Sequence, residues 1–180
     1  MCCQRCIEAV QMELTALDLK VEKIKLGEAT FFLPTKIELS TISDVLHKRG
    51  FELIVSEESR IVEAVKTTLI ELIHQPKVYT DYKIHLPEFL EEKIKIPYRT
   101  IYKLFLEHTK ITIEKYSILQ RIEKVKLLIE ENSLNFSEIG VLTGYKTQQH
   151  LSSQFKKITG MSMHDYKNKR NKKRTPINEL

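Results

Sequence analysis

The C-terminal half of the chain contains an internal repeat with a period of 50 residues. Residues 105–116 are FLEHTKITIEKY, and residues 155–166 are FKKITGMSMHDY. Phenylalanine, threonine and tyrosine recur at matching places, and an apolar residue stands four positions before each phenylalanine, at Ile101 and Leu151. Similarity at a fixed spacing indicates two copies of one structural unit. Any fold for this half must therefore build the same unit twice.

The second copy begins with the signals of a short helix. Asn135 and Glu138 have the spacing of a capping box, which predicts a helix that starts near residue 136. Ile139 and Leu142 are expected to be its buried positions. Gly144 is expected to end the helix, because glycine adopts the left-handed backbone conformation without a steric cost.

A longer helix is predicted to follow. Thr147 is a favourable N-cap, and the apolar pattern continues to about Ile158. Leu151, Phe155 and Ile158 share one face and should be buried. The opposite face is polar and suits hydrogen bonding to base edges in a major groove; it carries Gln148, Gln149, Ser152, Ser153 and Lys156. This is the helix-turn-helix plan, although a helical hairpin with a solvated outer face gives the same pattern.

The first copy follows the same plan between about residues 86 and 105. The apolar face of its first helix consists of Leu86, Phe89 and Leu90. Pro97 stands at the first turn of the next helix, where proline is tolerated. Ile101 and Phe105 are expected to point inward. The outward positions are Arg99, Thr100, Tyr102 and Lys103, of which Arg99 and Lys103 match Gln149 and Ser153 of the second copy.

A helical stripe of apolar residues lies between the two copies. It consists of Ile113, Tyr116, Leu119, Ile122, Val125 and Ile129. The stripe predicts one long helix that holds the units far enough apart to enter successive major grooves, roughly 34 Å along DNA.

Residues 84–167 resemble the DNA-binding domain of the AraC/XylS family of bacterial regulators. The resemblance rests on FSEIGVLTGYKTQQHLSSQFKKITGMSMHDYK, which meets the family pattern at Ile139, Gly144–Tyr145, Phe155–Lys157, Gly160 and Tyr166. It implies an all-α domain of seven helices with two helix-turn-helix units. The chain departs from the pattern at Lys110, Val125, Gly140 and 161–163, the last of which lacks the common proline.

The resemblance also implies which residues contact DNA. They are Arg99, Thr100 and Lys103 in the first unit and Gln148, Gln149, His150 and Ser153 in the second, and the polar face adds Lys156. The expected function is sequence-specific DNA binding by a transcription regulator that contacts two adjacent major grooves and catalyses no reaction. Double-stranded DNA is the expected partner, RNA polymerase is a further candidate, and the protein is expected to be a monomer or a homodimer.

Charge is divided unequally along the chain. Residues 1–76 contain 9 Lys and Arg against 12 Asp and Glu, and residues 77–180 contain 20 against 12. A basic half joined to a mildly acidic half is typical of a nucleic-acid-binding domain attached to another module. The chain has no apolar run of membrane-spanning length and no signal-peptide pattern, so we expect a soluble, cytoplasmic protein with reduced thiols.

Residues 1–56 are predicted to form a small α+β module. The expected elements are a helix at 4–17, strands at 21–26 and 29–33, a helix at 37–49 and a strand at 51–55. This αββαβ order is that of a ferredoxin-like βαββαβ sandwich without its first strand. Either the true start lies upstream of Met1 or the strand has been lost.

The N-terminal cysteines resemble the M-x-C-x-x-C loop of heavy-metal-associated domains. The resemblance implies that Cys3 and Cys6 bind a soft cation, Cu(I) or Zn(II), at a helix N-terminus. Fusions of such modules to AraC-type domains occur in Bacteroidetes-like bacteria. No third ligand is evident, so a ligand-free scaffold and a module for another ligand or partner stay open. The DNA-binding half requires no cofactor.

The remaining segments connect and extend these parts. Residues 57–76 are predicted to form an amphipathic connector or dimer helix that ends at Pro76. Its apolar face consists of Ile61, Val65, Leu69, Leu72 and Ile73. The DNA-binding domain is expected at 77–168. The tail at 169–180 is expected to be disordered, and its basic residues would add salt-sensitive attraction to phosphates.

Three other functions stay as alternatives. The chain could be a metal sensor or chaperone that uses Cys3 and Cys6, or an architectural DNA-binding protein without a regulatory role. An enzyme is the weakest alternative, because the six histidines are scattered and no nucleophile–base set or glycine-rich phosphate loop is present.

Overall fold

The computed structural model describes residues 3–34, 36–54, 56–74 and 85–168. The elements are α1 Gln4–Ala16, β1 Val21–Lys25, β2 Glu28–Phe31, α2 Leu39–Lys48, α3 Glu57–His74, α4 Leu86–Ile94, α5 Tyr98–Thr109, α6 Ile113–Glu131, α7 Phe136–Leu142, α8 Gln148–Thr159 and α9 Met163–Asn168. The chain divides into two compact units, Met1–Thr67 and Thr68–Leu180, and the division falls within α3. No helix in the described ranges has the length and apolar character needed to cross a bilayer.

The first unit is a β-hairpin with two helices around a small core. β1 and β2 pair antiparallel, and Gly27, with φ of +77°, forms part of the turn between them. α1 packs against both β1 and α2. The buried core consists of Val10, Leu14, Leu19, Ile42 and Leu46. The predicted helices and the first two predicted strands are thus present, each slightly shorter than expected.

The predicted third strand is wrong over the residues that are described. Residues 51–54 form no strand, and Val55 lies outside the described residues. Phe51 and Leu53 pack against the core, while Glu52 and Ile54 are exposed. The apolar alternation therefore arises from packing on one side of the segment, without backbone pairing. The described sheet has two strands, so the ferredoxin-like assignment lacks the third strand on which it depended.

The second unit contains the sequence repeat as a structural repeat. α5 spans 98–109 and α8 spans 148–159, so the two helices begin and end 50 residues apart. Lys110 and Gly160 follow them with left-handed φ values of 60° and 76°. The side-chain hydroxyls of Thr109 and Thr159 donate to the carbonyls of Phe105 and Phe155 at 2.7 and 2.8 Å. The prediction of two copies of one unit is confirmed.

An aromatic pair closes each copy. The ring centroids of Phe105 and Tyr116 lie 5.5 Å apart at an interplanar angle of 69°. Those of Phe155 and Tyr166 also lie 5.5 Å apart, at 73°. All four side chains are buried. This edge-to-face geometry fixes α5 against α6 and α8 against α9.

α6 is the central helix of the second unit and packs against α5, α7, α8 and α9. Its N-terminal end buries Ile113 and Tyr116, and its C-terminal half buries Ile122, Val125 and Ile129. With the C-terminal part of α3, the described residues of the second unit comprise seven helices. The predicted domain boundary at 76/77 and the tail at 169–180 lie outside the described residues, and the domain limits stay predictions.

The repeat makes a direct prediction about stability. Lys110 adopts the left-handed conformation that Gly160 adopts in the second copy, and this conformation costs a side-chain-bearing residue about 1–2 kcal/mol. Glycine loses about 0.5–1 kcal/mol more conformational freedom on folding. We therefore expect Lys110→Gly to raise the free energy of unfolding by about 0.5–1 kcal/mol, measured by urea denaturation.

Gly160→Ala is the matched control. No heavy atom lies within 4 Å of a Cβ added at Gly160, so the backbone conformation alone determines the cost. We expect this variant to be destabilised by about 1 kcal/mol. A Lys110→Gly variant that is less stable than the parent would contradict the structural equivalence of the two positions.

Candidate nucleic-acid interface

α7 starts at the capping box predicted from the sequence. The Asn135 side-chain oxygen accepts hydrogen bonds from the backbone N–H groups of Ser137 and Glu138, both at 3.0 Å. The Glu138 carboxylate accepts from the backbone N–H of Asn135 at 2.7 Å. These bonds satisfy N–H groups that have no partner inside the helix. The start of α7 is therefore fixed by residues local to it.

The turn after α7 corrects one expectation about its core. Ile139 is fully buried, but Leu142 is 40% exposed, so the prediction that Leu142 is a buried position is wrong. The inward place is taken by Thr143, whose hydroxyl donates to the Ile139 carbonyl at 2.6 Å. Gly144 then reverses the chain with φ of +77°. Because α7 has only two turns, its last inward position falls one residue later than the i+3 spacing suggested.

α8 presents the predicted polar surface. The Thr147 side chain accepts a hydrogen bond from the His150 backbone N–H at 3.1 Å, which confirms its role as N-cap. Leu151 and Phe155 are fully buried, and Ile158 is partly buried against the same core. The exposed residues on α8 include all five side chains predicted to contact DNA: Gln148, Gln149, His150, Ser153 and Lys156.

His150 packs against a buried tyrosine of the turn. The rings of Tyr145 and His150 lie 5.4 Å apart at 83°. The Tyr145 hydroxyl is buried and has no hydrogen-bond partner among the residues that the structure describes. Burial raises the pKa of Tyr145 above its usual value, and nearby Arg121 partly opposes this effect. The contact restricts the His150 ring at the N-terminal end of α8.

α5 presents the equivalent surface of the first helix-turn-helix unit. Arg99, Thr100 and Lys103 are exposed, as predicted for residues that contact DNA. The Lys103 ammonium lies 3.9 Å from the Glu107 carboxylate on the same helix, with both side chains largely in solvent. An exposed pair of this kind contributes little to stability and leaves Lys103 available to another anion.

Two carboxylates that sequence reasoning missed hold the start of α5. The Tyr98 backbone N–H donates to Glu91 of α4 at 2.5 Å, and its hydroxyl donates to Glu114 of α6 at 2.8 Å. Burial, followed by the hydrogen bond to Glu114, raises the pKa of Tyr98. Burial alone would raise the pKa of Glu114, but hydrogen bonds from its own backbone, Tyr98 and Thr112 together lower it. The only sequence signal was that Tyr98 occupies the position of Gln148 in the other copy.

The two cysteines predicted to bind metal lie together at the start of α1. The sulfur atoms of Cys3 and Cys6 are 3.5 Å apart. No group of three or more His, Cys, Asp or Glu side chains suited to a metal ion occurs within the described ranges, which do not include Cys2. The thiol pair would supply two of the four ligands that a structural Zn(II) site takes. Thiolates are ligands that a soft cation such as Cu(I) favours.

One comparison with known proteins falls within the second unit. Residues 90–169 match the family described as "Helix-turn-helix domain". This segment is therefore similar to helix-turn-helix domains. No curated protein matches the chain.

Two solved structures are similar to part of the chain. The chain is similar to the C-terminal domain of AraT, a response regulator from Geobacillus stearothermophilus, with 22% identity and a TM-score of 0.54 over 67% of this chain and 94% of that one. It also aligns with the C-terminal domain of the two-component response regulator yesN from Fusobacterium nucleatum subsp. nucleatum, with 24% identity and a TM-score of 0.48 over 57% and 97%. The similarity to the AraT domain shows a shared fold.

The N-cap of α8 can be tested without reference to a ligand. Thr147→Val keeps the side-chain shape but removes the oxygen that accepts from the His150 N–H, and we expect a loss of about 1 kcal/mol in unfolding free energy. Amide hydrogen exchange at His150 should become faster. Thr147→Ser retains the acceptor and should behave like the parent. If the valine and serine variants were equally stable, Thr147 would not be the cap.

Proposed function

We propose that this protein is a sequence-specific DNA-binding transcription regulator of the AraC/XylS type. The observation that carries the proposal is the matched placement of exposed residues on α5 and α8. Arg99, Thr100 and Lys103 stand 50 residues before Gln149, His150 and Ser153, on two helices with equivalent bounds. One domain thus has two equivalent polar helix faces, which is the arrangement that two half-sites on one duplex require.

The chemistry of the two faces supports contact with bases. A glutamine amide can pair in a bidentate manner with the adenine edge, and an arginine guanidinium with the guanine edge, both in the major groove. Gln148 and Gln149 are exposed on α8, and Arg99 is exposed on α5. The excess of 20 Lys and Arg over 12 Asp and Glu in residues 77–180 favours binding to the phosphate backbone.

We further propose that the two helices enter adjacent major grooves. α6 has 19 residues and packs against the recognition helix of each unit. At the rise of an α-helix its length is about 28 Å, comparable with the roughly 34 Å of one duplex turn. Double-stranded DNA in the cytoplasm is the proposed partner, with RNA polymerase as a further one, and the protein would act as a monomer or homodimer.

The proposal is tested by replacing the amide that the sequence places at the centre of the α8 face. Sites are first selected from random duplexes with the full chain, and affinity is then measured on the selected site. We expect Gln149→Ala to weaken specific binding by about 1–3 kcal/mol and to relax the base preference at one position. Gln11→Ala, which removes an exposed amide from α1, is the matched control and should bind like the parent.

Two results would contradict the proposal. Selection that enriches no sequence, with uniform coverage of duplex in footprinting, would favour the architectural alternative. Enrichment of a site that Gln149→Ala binds with unchanged affinity and unchanged base preference would contradict the placement of α8 in the groove.

A second candidate function is soft-metal sensing through the first unit. It is favoured by the 3.5 Å contact between the sulfur atoms of Cys3 and Cys6. We expect purified, reduced protein to bind Cu(I) in competition with a chromogenic chelator, because thiolates are preferred ligands of this ion. Cys3→Ser and Cys6→Ser should each abolish binding, while Cys2→Ser should retain it. Binding that persists in the Cys3 and Cys6 variants would remove this candidate.

A further inference from the structure

The start of α5 carries two tyrosines that α8 lacks. Tyr98 and Tyr102 are both half-buried, and their ring centroids lie 6.0 Å apart at an interplanar angle of 50°. Gln148 and Ser152 occupy the equivalent positions on α8. The aromatic surface is thus specific to the first helix-turn-helix unit and is not required by the repeated fold.

Tyr98 is held from both sides. Its backbone N–H is bound to the Glu91 carboxylate of α4, and its hydroxyl donates to the Glu114 carboxylate of α6. Tyr98 therefore links α4, through its backbone, to α6, through its hydroxyl. It gives Tyr102, one turn further along α5, a fixed aromatic neighbour on one side.

Tyr102 has a different environment from Tyr98. Its hydroxyl makes no hydrogen bond to any residue of the described ranges, and Arg99, three residues before it, and Lys103, the next residue in the sequence, are both exposed. A half-buried ring whose hydroxyl has no partner within the described part of the chain, on a helix that carries these two exposed cations, is suited to a surface that meets a nucleic acid. Among the groups on the major-groove edge of the bases, the 5-methyl of thymine is the apolar one.

We propose that Tyr102 contacts a thymine 5-methyl group in the half-site bound by α5, and that Tyr98, held by Glu114, positions its ring. This inference rests on the proposed DNA-binding function and names one specificity determinant within it. Arg99 and Lys103 then supply hydrogen bonds and charge around an apolar contact. The α8 half-site, where Ser152 replaces the ring, has no equivalent contact.

The test uses the full chain and the duplex obtained by selection. Each thymine of that duplex is replaced in turn by deoxyuridine, which removes only the 5-methyl group, and affinity is measured by titration. We expect one replacement in the α5 half-site to weaken binding about fourfold, the value of burying one such carbon. Tyr102→Ala should bind the thymine and uracil duplexes equally, and Tyr102→Phe should retain the discrimination.

Variants at the supporting residues separate positioning from folding. Tyr98→Phe keeps the ring but removes the hydrogen bond to Glu114, so it should reduce the thymine–uracil ratio while affinity for the uracil duplex stays unchanged. Glu114→Ala should have the same effect, and Glu114→Gln should retain the ratio because its amide oxygen still accepts. Ser152→Ala on α8 is the matched control and should leave the ratio intact. Melting temperatures identify any variant that has lost its fold.

The outcomes distinguish this inference from the function on which it rests. If no site can be selected, the proposed function itself fails. If a site is selected but no thymine replacement changes affinity, the inference fails and the function stands. A loss of affinity in Tyr102→Phe without any thymine–uracil discrimination would also overturn the inference, since it would assign the hydroxyl to a phosphate. A ratio unchanged in both Tyr98→Phe and Glu114→Ala would remove the positioning role.

Discussion

Each helix-turn-helix unit depends on one edge-to-face contact between a phenylalanine of the recognition helix and a tyrosine of the helix that follows. The two pairs, Phe105–Tyr116 and Phe155–Tyr166, share a centroid distance of 5.5 Å. Such a pair contributes about 0.5–1.5 kcal/mol beyond the burial of its area. The pair also has a structural consequence: a helix anchored at a buried phenylalanine has its opposite face directed to solvent. The placement of Arg99 and Gln149 on exposed surfaces follows from it.

α6 joins the two helix-turn-helix units, because it contributes Tyr116 to the aromatic pair of the first and core residues to the second. Tyr116 closes the first unit, and Ile122, Val125 and Ile129 lie in the core of the second. The buried Gln120 side chain lies on the same helix. It donates to the Tyr116 hydroxyl at 2.9 Å, and its oxygen lies 3.0 Å from the His74 ring at the end of α3. A contiguous set of polar contacts therefore runs from α3 to the aromatic pair behind α5.

The repeat fixed most of what could be predicted for the second unit from sequence. Capping residues such as Asn135 and Thr147 act on backbone groups two or three positions away, so local spacing is sufficient to identify them. The errors arose where local spacing is not sufficient. Leu142 satisfied the helical period, but Thr143 fills the buried place, since a two-turn helix does not constrain its last residues. Residues 51–54 alternate as a strand does, but alternation indicates only which side chains face a core, not whether the backbone finds a partner.

The exposure of the predicted DNA-contacting residues could be predicted from the sequence for a different reason. It requires only that inward positions be identified, and Ile101, Phe105, Leu151 and Phe155 are all fully buried. The bridge through Tyr98 could not be predicted in this way. Its partners Glu91 and Glu114 lie 7 and 16 residues away on two other helices, and neither spacing belongs to a local motif. In the sequence alone, Glu91 and Glu114 cannot be distinguished from ordinary solvent-exposed carboxylates.

The start of α5, which differs from that of α8, has a physical explanation in the same bridge. α8 starts at Thr147, which caps it locally, whereas α5 starts at Pro97, which makes no side-chain cap. The N–H of Tyr98 is satisfied instead by Glu91, a residue of the preceding helix. A cap supplied from a neighbouring helix fixes the start of α5 as a local cap would, and it also ties that start to α4. The first helix-turn-helix unit thus lacks the local side-chain cap of the second, although α5 has the same bounds as α8 relative to the repeat. The two helix starts satisfy different backbone groups: Glu91 accepts from the N–H of Tyr98 in α5, and Thr147 accepts from the N–H of His150 in α8.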